Sequence, residues 1–171
     1  MLFLKGSKVK RAERWILFFI VALFIFSLDL ISKWLIEKNL PYLSEIKITS
    51  FFNIVHFRNR GVVFGLFSDI ENNLFRNIMN IFSILVMFFL LYFSRYFSGI
   101  SFYVIGAMIG GACGNIFERL SKGYVVDFLD FHIRNYHWPA FNIADSTITI
   151  GMIIIMLSSI RKKQPNRSDI R

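Results

Sequence analysis

Three carboxylates stand where carboxylates are costly: Asp29, Asp127 and Asp145 each lie inside or beside a long apolar run. An acid in or next to hydrocarbon is by default a functional group. Two acids held a few ångströms apart cannot both ionise cheaply, so they share a proton. Such a pair can deprotonate a water and protonate a leaving amine. Each acid also has a structural explanation. Asp29 and Lys33 are four apart, meet on one helix face, and can form an intrahelical pair with Lys33 snorkelling to the interface. Asp145 follows Asn142 by three residues, the spacing of an N-cap and an acid suited to the helix dipole. Asp127 sits in Val125-Val126-Asp127-Phe128-Leu129-Asp130, where it can be a loop acid and Asp130 the more interesting one.

Other chemistries fit poorly. Ser32 and Lys33 are adjacent and do not face each other on a helix, which weakens a serine–lysine dyad. Cys113 falls mid-span, away from His132 and His137, and reads as a small buried hydrophobe. His56, His132 and His137 lack metal-site spacing in the chain and no H-E-x-x-H occurs, so neither a metal nor a zinc peptidase is expected.

The elements that must position the acids follow from composition. The chain has 171 residues, 55% of them hydrophobic, with 21 Phe. It also carries 20 Lys+Arg against 11 Asp+Glu. Long apolar runs with basic ends describe a membrane protein; a nucleic-acid binder would carry its basic face on a soluble core. A span needs ~20 apolar residues. Four candidates appear, about 15–36, 76–93, 100–117 and 142–160. The first is too long for a cleaved leader and no small-residue cleavage site follows it. Basic clusters at Lys5, Lys8, Lys10, Arg11 and Arg14, and at Arg161, Lys162, Lys163, Arg167 and Arg171, assign both tails to the cytoplasm. Asp29, Asp127 and Asp145 then fall at one level, near the outer face.

Two longer connections, 37–75 and 119–141, face outward in this scheme. Ile46–Thr49 and Phe52–Phe57 read as short strands, which predicts a β-rich outer segment over about 43–67. Ser68-Asp69-Ile70-Glu71 fits a capping box. Gly106, Gly110 and Gly114, with Gly111 beside them, form a small-residue stripe for close helix approach; no strand precedes it, so it is not a nucleotide loop.

Five segments together resemble the lipoprotein signal peptidases (signal peptidase II). They are Asp29-Leu30-Ile31-Ser32-Lys33, Asn59-Arg60-Gly61-Val62-Val63-Phe64-Gly65, Gly110-Gly111-Ala112-Cys113-Gly114-Asn115-Ile116-Phe117-Glu118-Arg119, Tyr124-Val125-Val126-Asp127-Phe128 and Pro139-Ala140-Phe141-Asn142-Ile143-Ala144-Asp145-Ser146. One segment alone is weak; all five in the family's order are specific. The resemblance implies an all-α polytopic membrane protein, with four transmembrane helices and a small extracytoplasmic β-rich cradle. It implies an aspartyl endopeptidase of the bacterial inner membrane that removes the signal peptide of prolipoproteins, cutting before a diacylglyceryl-modified cysteine. Asp127 and Asp145 become the catalytic pair. Asn59, Gly61, Asn115, Arg119 and Asn142 support the site or position substrate, with Asp29 and Lys33 beside them. It further implies inhibition by globomycin, contact with membrane lipid, no cofactor, no nucleic acid, and a site that a monomer completes.

Three positions depart from the family's pattern. Glu118 stands where Asp is usual, and Val62 and Val63 stand where small residues are usual. Two rival classes use the same features: a small transporter with the acids as a proton relay, and a glycine-packed scaffold. Pro41, Pro139 and Pro165 all lie outside span interiors and no paired repeat appears, which disfavours the transporter.

Overall fold

The computed structural model describes residues 2–60 and 73–162. Four helices and four strands follow in the order α1 (Leu2–Asn39), β1 (Glu45–Lys47), β2 (Phe52–Asn59), α2 (Asn73–Ser94), α3 (Ile100–Lys122), β3 (Val125–Ile133), β4 (Tyr136–His137) and α4 (Ile143–Lys162). The protein is mostly helical. Among the described residues three helices are long and apolar enough to cross a membrane, over Arg11–Asn39, Ile100–Lys122 and Ile143–Ile160. The comparable stretch of α2, Asn80–Ser94, is shorter. Large apolar side chains such as Leu23, Phe24, Phe82, Leu85 and Met152 point outward, as lipid-facing residues do.

α3 packs against α1, α2 and α4, and its glycines let it do so. A Cβ on Gly110 would lie 2.2 Å from the backbone oxygen of Ala22, and one on Gly111 3.0 Å from that of Ala144. Any larger residue at 110 pushes α1 away. The apolar half of the bundle closes on Phe18, Phe102, Ile105 and Ile109. Arg14 covers this cluster, its guanidinium 3.8 Å over the Phe102 ring and hydrogen-bonded to the Phe97 carbonyl. Gly123 ends α3 in the left-handed region, φ 79°, and its N–H returns to the Arg119 carbonyl, so the chain turns straight into β3.

The strands form one antiparallel sheet ordered β1-β2-β3-β4. The two strands expected before residue 60 are present as β1 and β2. The other two come from the second connection, so the β-rich part extends well beyond the segment expected over about 43–67. The expected capping box at Ser68–Glu71, and Gly61, Val62 and Val63, lie outside the described residues. Pairing of β2 with β3 slips between Ile54 and Phe57, where β2 carries one extra residue. Such a bulge bends a strand and increases its twist. Beyond it Asn59 pairs with Val125 and Phe57 with Asp127.

Candidate active site

Asp127 belongs to a strand, not a loop. Its neighbours Val125, Val126 and Phe128 are buried, and Asp127 itself is only 4% exposed. Burial of this strand follows from its β-branched and aromatic content. Asn59, at the end of β2, donates its side-chain amide to Asp127 Oδ2 at 3.0 Å. Asn142 donates its own to Asp127 Oδ1 at 2.7 Å.

Asn142 is also the N-cap of α4. Its Oδ1 accepts the Asp145 N–H at 3.0 Å, and Asp145 Oδ2 accepts the Asn142 N–H at 3.3 Å. This is a reciprocal capping arrangement. The capping explanation of Asp145 therefore holds, and the cap itself presents Asp145 to Asp127: one asparagine bridges the two acids.

From Asp145 a polar chain runs down into the bundle. Asn115 donates its Nδ2 to Asp145 Oδ1 at 2.8 Å and accepts from Lys33 Nζ at 2.7 Å. Lys33 lies 2.6 Å from Asp29 and 3.4 Å from Glu118. Asp29 accepts the Ala144 N–H at 2.9 Å. Asp29 and Lys33 are fully buried, so Lys33 turns inward and does not snorkel. The intrahelical pair exists, and it also ties α1 to α3 and α4. Gly114 makes room for it, since a Cβ there would meet Asp29 Oδ2 at 2.3 Å.

The two acids sit in different local settings. Burial chiefly, and then the nearby Asp145 carboxylate, push Asp127 up to about 7, against the pull of its Asn59 and Asn142 hydrogen bonds. Asp145 sits in the first turn of α4, where the helix dipole favours an anion. Arg119 lies within electrostatic reach of both acids. Its Nε is buried with no hydrogen-bond partner among the described residues.

A family model and known relatives identify the family of the chain. The family model described as signal peptidase (SPase) II matches residues 21–161. The chain belongs to the signal peptidase II family. It is 38% identical over 150 residues to the lipoprotein signal peptidase of Francisella tularensis subsp. novicida, covering 86% of this chain and 93% of that one. The lipoprotein signal peptidase of Thermodesulfovibrio yellowstonii is 38% identical over 139 residues, 81% of this chain and 90% of its own. A solved bacterial membrane enzyme superposes with a TM-score of 0.73 at 29% identity, covering 86% of this chain and 92% of that one. Family membership and the spanning helices make this a multi-pass bacterial membrane peptidase.

Of the residues the motifs singled out, Asp29, Lys33, Asn59, Asn115, Asn142, Asp127 and Asp145 form one connected network, and Arg119 borders it. Asp130 points elsewhere, three residues along β3. Glu118 is the residue that the motif comparison undervalued. It is 1% exposed and accepts the Val126 N–H at 3.1 Å. It also pairs with Lys122 at 2.8 Å, and Lys122 bonds Glu37 in turn. Glu118 thus clamps the strand residue immediately before Asp127. The four-residue spacing of Glu118 and Lys122 signals their ion pair in the sequence, whereas nothing local signals the bond to Val126. A cavity of about 410 Å³ between α2, α3 and α4 is lined by Phe89, Ile105, Met108 and Met152. Ile105 is ten residues from Asn115, about 15 Å along α3, so this cavity is remote from the acids.

Proposed function

We propose that this chain is an aspartyl endopeptidase that removes the signal peptide from diacylglyceryl-modified prolipoproteins, cutting before the lipidated cysteine, with Asp127 and Asp145 as its catalytic pair. The observation that carries the reading is the Asn142 bridge: one side chain and its own backbone hold the buried Asp127 and the half-buried Asp145 together at the end of the bundle. Family membership supplies the substrate class, since the relatives are lipoprotein signal peptidases.

In this mechanism Asp145, as the anion, takes a proton from water. Asp127, protonated near neutrality, donates to the scissile carbonyl oxygen as the water oxygen adds to the carbon. The tetrahedral gem-diol then collapses: one hydroxyl returns its proton to Asp127 as the carbonyl re-forms, the C–N bond breaks, and the proton gained by Asp145 goes to the leaving amine. The two acids titrate as a unit. Asn59, Asn115 and Asn142 fix the carboxylates. Arg119 lies on the substrate side, where its Nε meets a peptide carbonyl or a lipid phosphate, and Gly61 helps to position substrate. Asp29 and Lys33 orient Asn115. No metal or cofactor enters. In the proposed topology α2 is the fourth span, both termini are cytoplasmic, and the acids lie at the outer face of the inner membrane, where a diacylglyceryl anchor would hold the cleavage point. A monomer completes the site, and globomycin competes for it.

The test is cleavage of a diacylglyceryl-modified prolipoprotein by purified wild type, Asp127→Asn and Asp145→Asn, each checked for folding in detergent. Wild type cuts and each variant loses about 10³-fold or more, on the scale of a lost general acid or base. Normal cleavage by either folded variant overturns the pair.

A further inference from the structure

Asp130, His132 and His137 take no part in the peptidase site. Side chains alternate along a strand, so Asp130 and His132 share the face of β3 opposite to Asp127. His137 joins them through the hairpin. β3 and β4 are linked by Arg134 and Asn135 alone, with Arg134 at φ 55°, as two-residue hairpins require of a turn residue. The register pairs His132 directly with His137, and their rings stack 4.7 Å apart. Chain spacing conceals this arrangement; the hairpin creates it.

The three side chains converge on one point. His137 Nδ1 lies 2.9 Å from Asp130 Oδ2. His132 Nδ1 is 3.9 Å from the same oxygen, too far for a hydrogen bond, and is buried with no partner among the described residues. One ligand atom from each of the three residues falls within 4.8 Å of the others. Two ligands on a tetrahedral zinc lie about 3.4 Å apart, given metal–ligand bonds near 2.1 Å. Closing this cluster onto an ion therefore takes small side-chain rotations. Asp130 is already held: Asn53, its cross-strand partner, donates to Oδ2 at 3.2 Å. A carboxylate oriented by an amide, with two imidazoles, is a supported ligand set.

We propose that Asp130, His132 and His137 bind a divalent transition metal of the zinc class, with solvent as the fourth ligand. Imidazole with carboxylate suits Zn²⁺ and its neighbours, and discriminates against Mg²⁺ and Ca²⁺, which prefer all-oxygen shells. A cavity of about 640 Å³, bordered by Phe51, Ile133, Tyr136 and Trp138, opens beside His132 and His137 and gives the ion its entry path. The bound metal would staple the short β4 to β3 and fix the tip of the sheet.

The experiment titrates the untagged full chain, stripped with chelator and purified in detergent, with Co²⁺ and then Zn²⁺. One Co²⁺ per chain should bind with a ligand-field absorption band, and Zn²⁺ should displace it. Thermal stability should rise with occupancy. Asn53→Ala, which frees Asp130 without removing a ligand, should weaken binding about tenfold; His132→Gln and His137→Gln should weaken it further. His137 is 49% exposed, so its replacement leaves the fold intact and serves as the decisive variant. Absence of saturable binding, or one-equivalent binding that persists in His132→Gln and His137→Gln, overturns the site.

Discussion

The two halves of α3 belong to one helix and live by opposite rules. Its first half, around Phe102, Ile105 and Ile109, packs apolar side chains against Phe18 and Trp15. Its second half carries Asn115 and Glu118 into a buried polar network. Apolar contacts are many, small and interchangeable, so the first half should tolerate changes that conserve volume. In the second half each group is satisfied by particular partners, and losing one strands the others. Lipid and helix packing suffice to build the first half. Glycines at 110, 111 and 114 are what let backbone come close enough to build the second.

Lys33→Met breaks the polar half hardest. Lys33 is the fully buried cation facing both Asp29 and Glu118. Without it Asp29 keeps the Ala144 N–H but no counter-charge. Removing one member of a buried pair typically costs about 3–5 kcal/mol, read as a large drop in Tm together with lost cleavage. The double variant Asp29→Asn/Lys33→Met leaves no such stranded charge on Asp29 and should recover much of that stability. A double variant no more stable than Lys33→Met would mean that the pair does not interact as the geometry states.

This network shows where sequence reasoning reaches and where it stops. Asn142 and Asp145 were legible because capping is local: three residues set the geometry. The helices were legible because apolar length is a property of one segment. β3 was not. Its run Val125-Val126-Asp127-Phe128-Leu129 carries strand-forming residues, yet its partners Asn53 and Asn59 lie some seventy positions earlier. The inward turn of Lys33 was hidden for the same reason. Snorkelling and burial use the same i,i+4 spacing, and Asn115, 82 residues away, decides between them. The reach of Glu118 to Val126 depends on how Gly123 turns the chain. His132 and His137 become neighbours only when a two-residue hairpin closes.

Asn142→Ala should be the next largest loss. The side chain donates to Asp127, and its oxygen caps α4 at Asp145. A hydrogen bond to a charged or proton-sharing group contributes about 1.5–3 kcal/mol. Cleavage should fall by about 10–150-fold, mostly in kcat, with a smaller loss of Tm from the missing cap. An Asn142→Asp variant keeps a capping oxygen but replaces the buried donor with a third carboxylate, so it should lose the activity and also lower the Tm. Equal activity in wild type and Asn142→Ala would detach the bridge from catalysis.

The pH profile sharpens the contrast between the two acids. Asp127 must carry a proton to act as the acid, and its pKa stands at about 7. Above that value the proton is lost, so kcat/KM should fall about tenfold per pH unit on the alkaline side. Asn59 donates to this carboxylate and favours its anion. Asn59→Ala removes that support, raises the pKa further, and should move the falling limb to higher pH. A limb that stays in place, or moves down, would assign the titration to another group.

Ile105→Val probes the apolar half and should do least. Ile105 is 1% exposed within the Phe18 and Phe102 cluster, and it lies about 15 Å along α3 from Asn115. Losing one methyl there costs about 0.5–1.5 kcal/mol, seen as a small fall in Tm. Cleavage rate and pH profile should match wild type, because no polar partner is stranded and the shift must die out over three helical turns. The larger change Ile105→Ala opens a cavity and costs about 2–5 kcal/mol, yet it too should leave kcat/KM of the folded fraction near wild type. A fall in kcat/KM at unchanged fold would mean that the two halves of α3 are coupled through the helix, with the apolar packing holding Asn115 in register against Asp145.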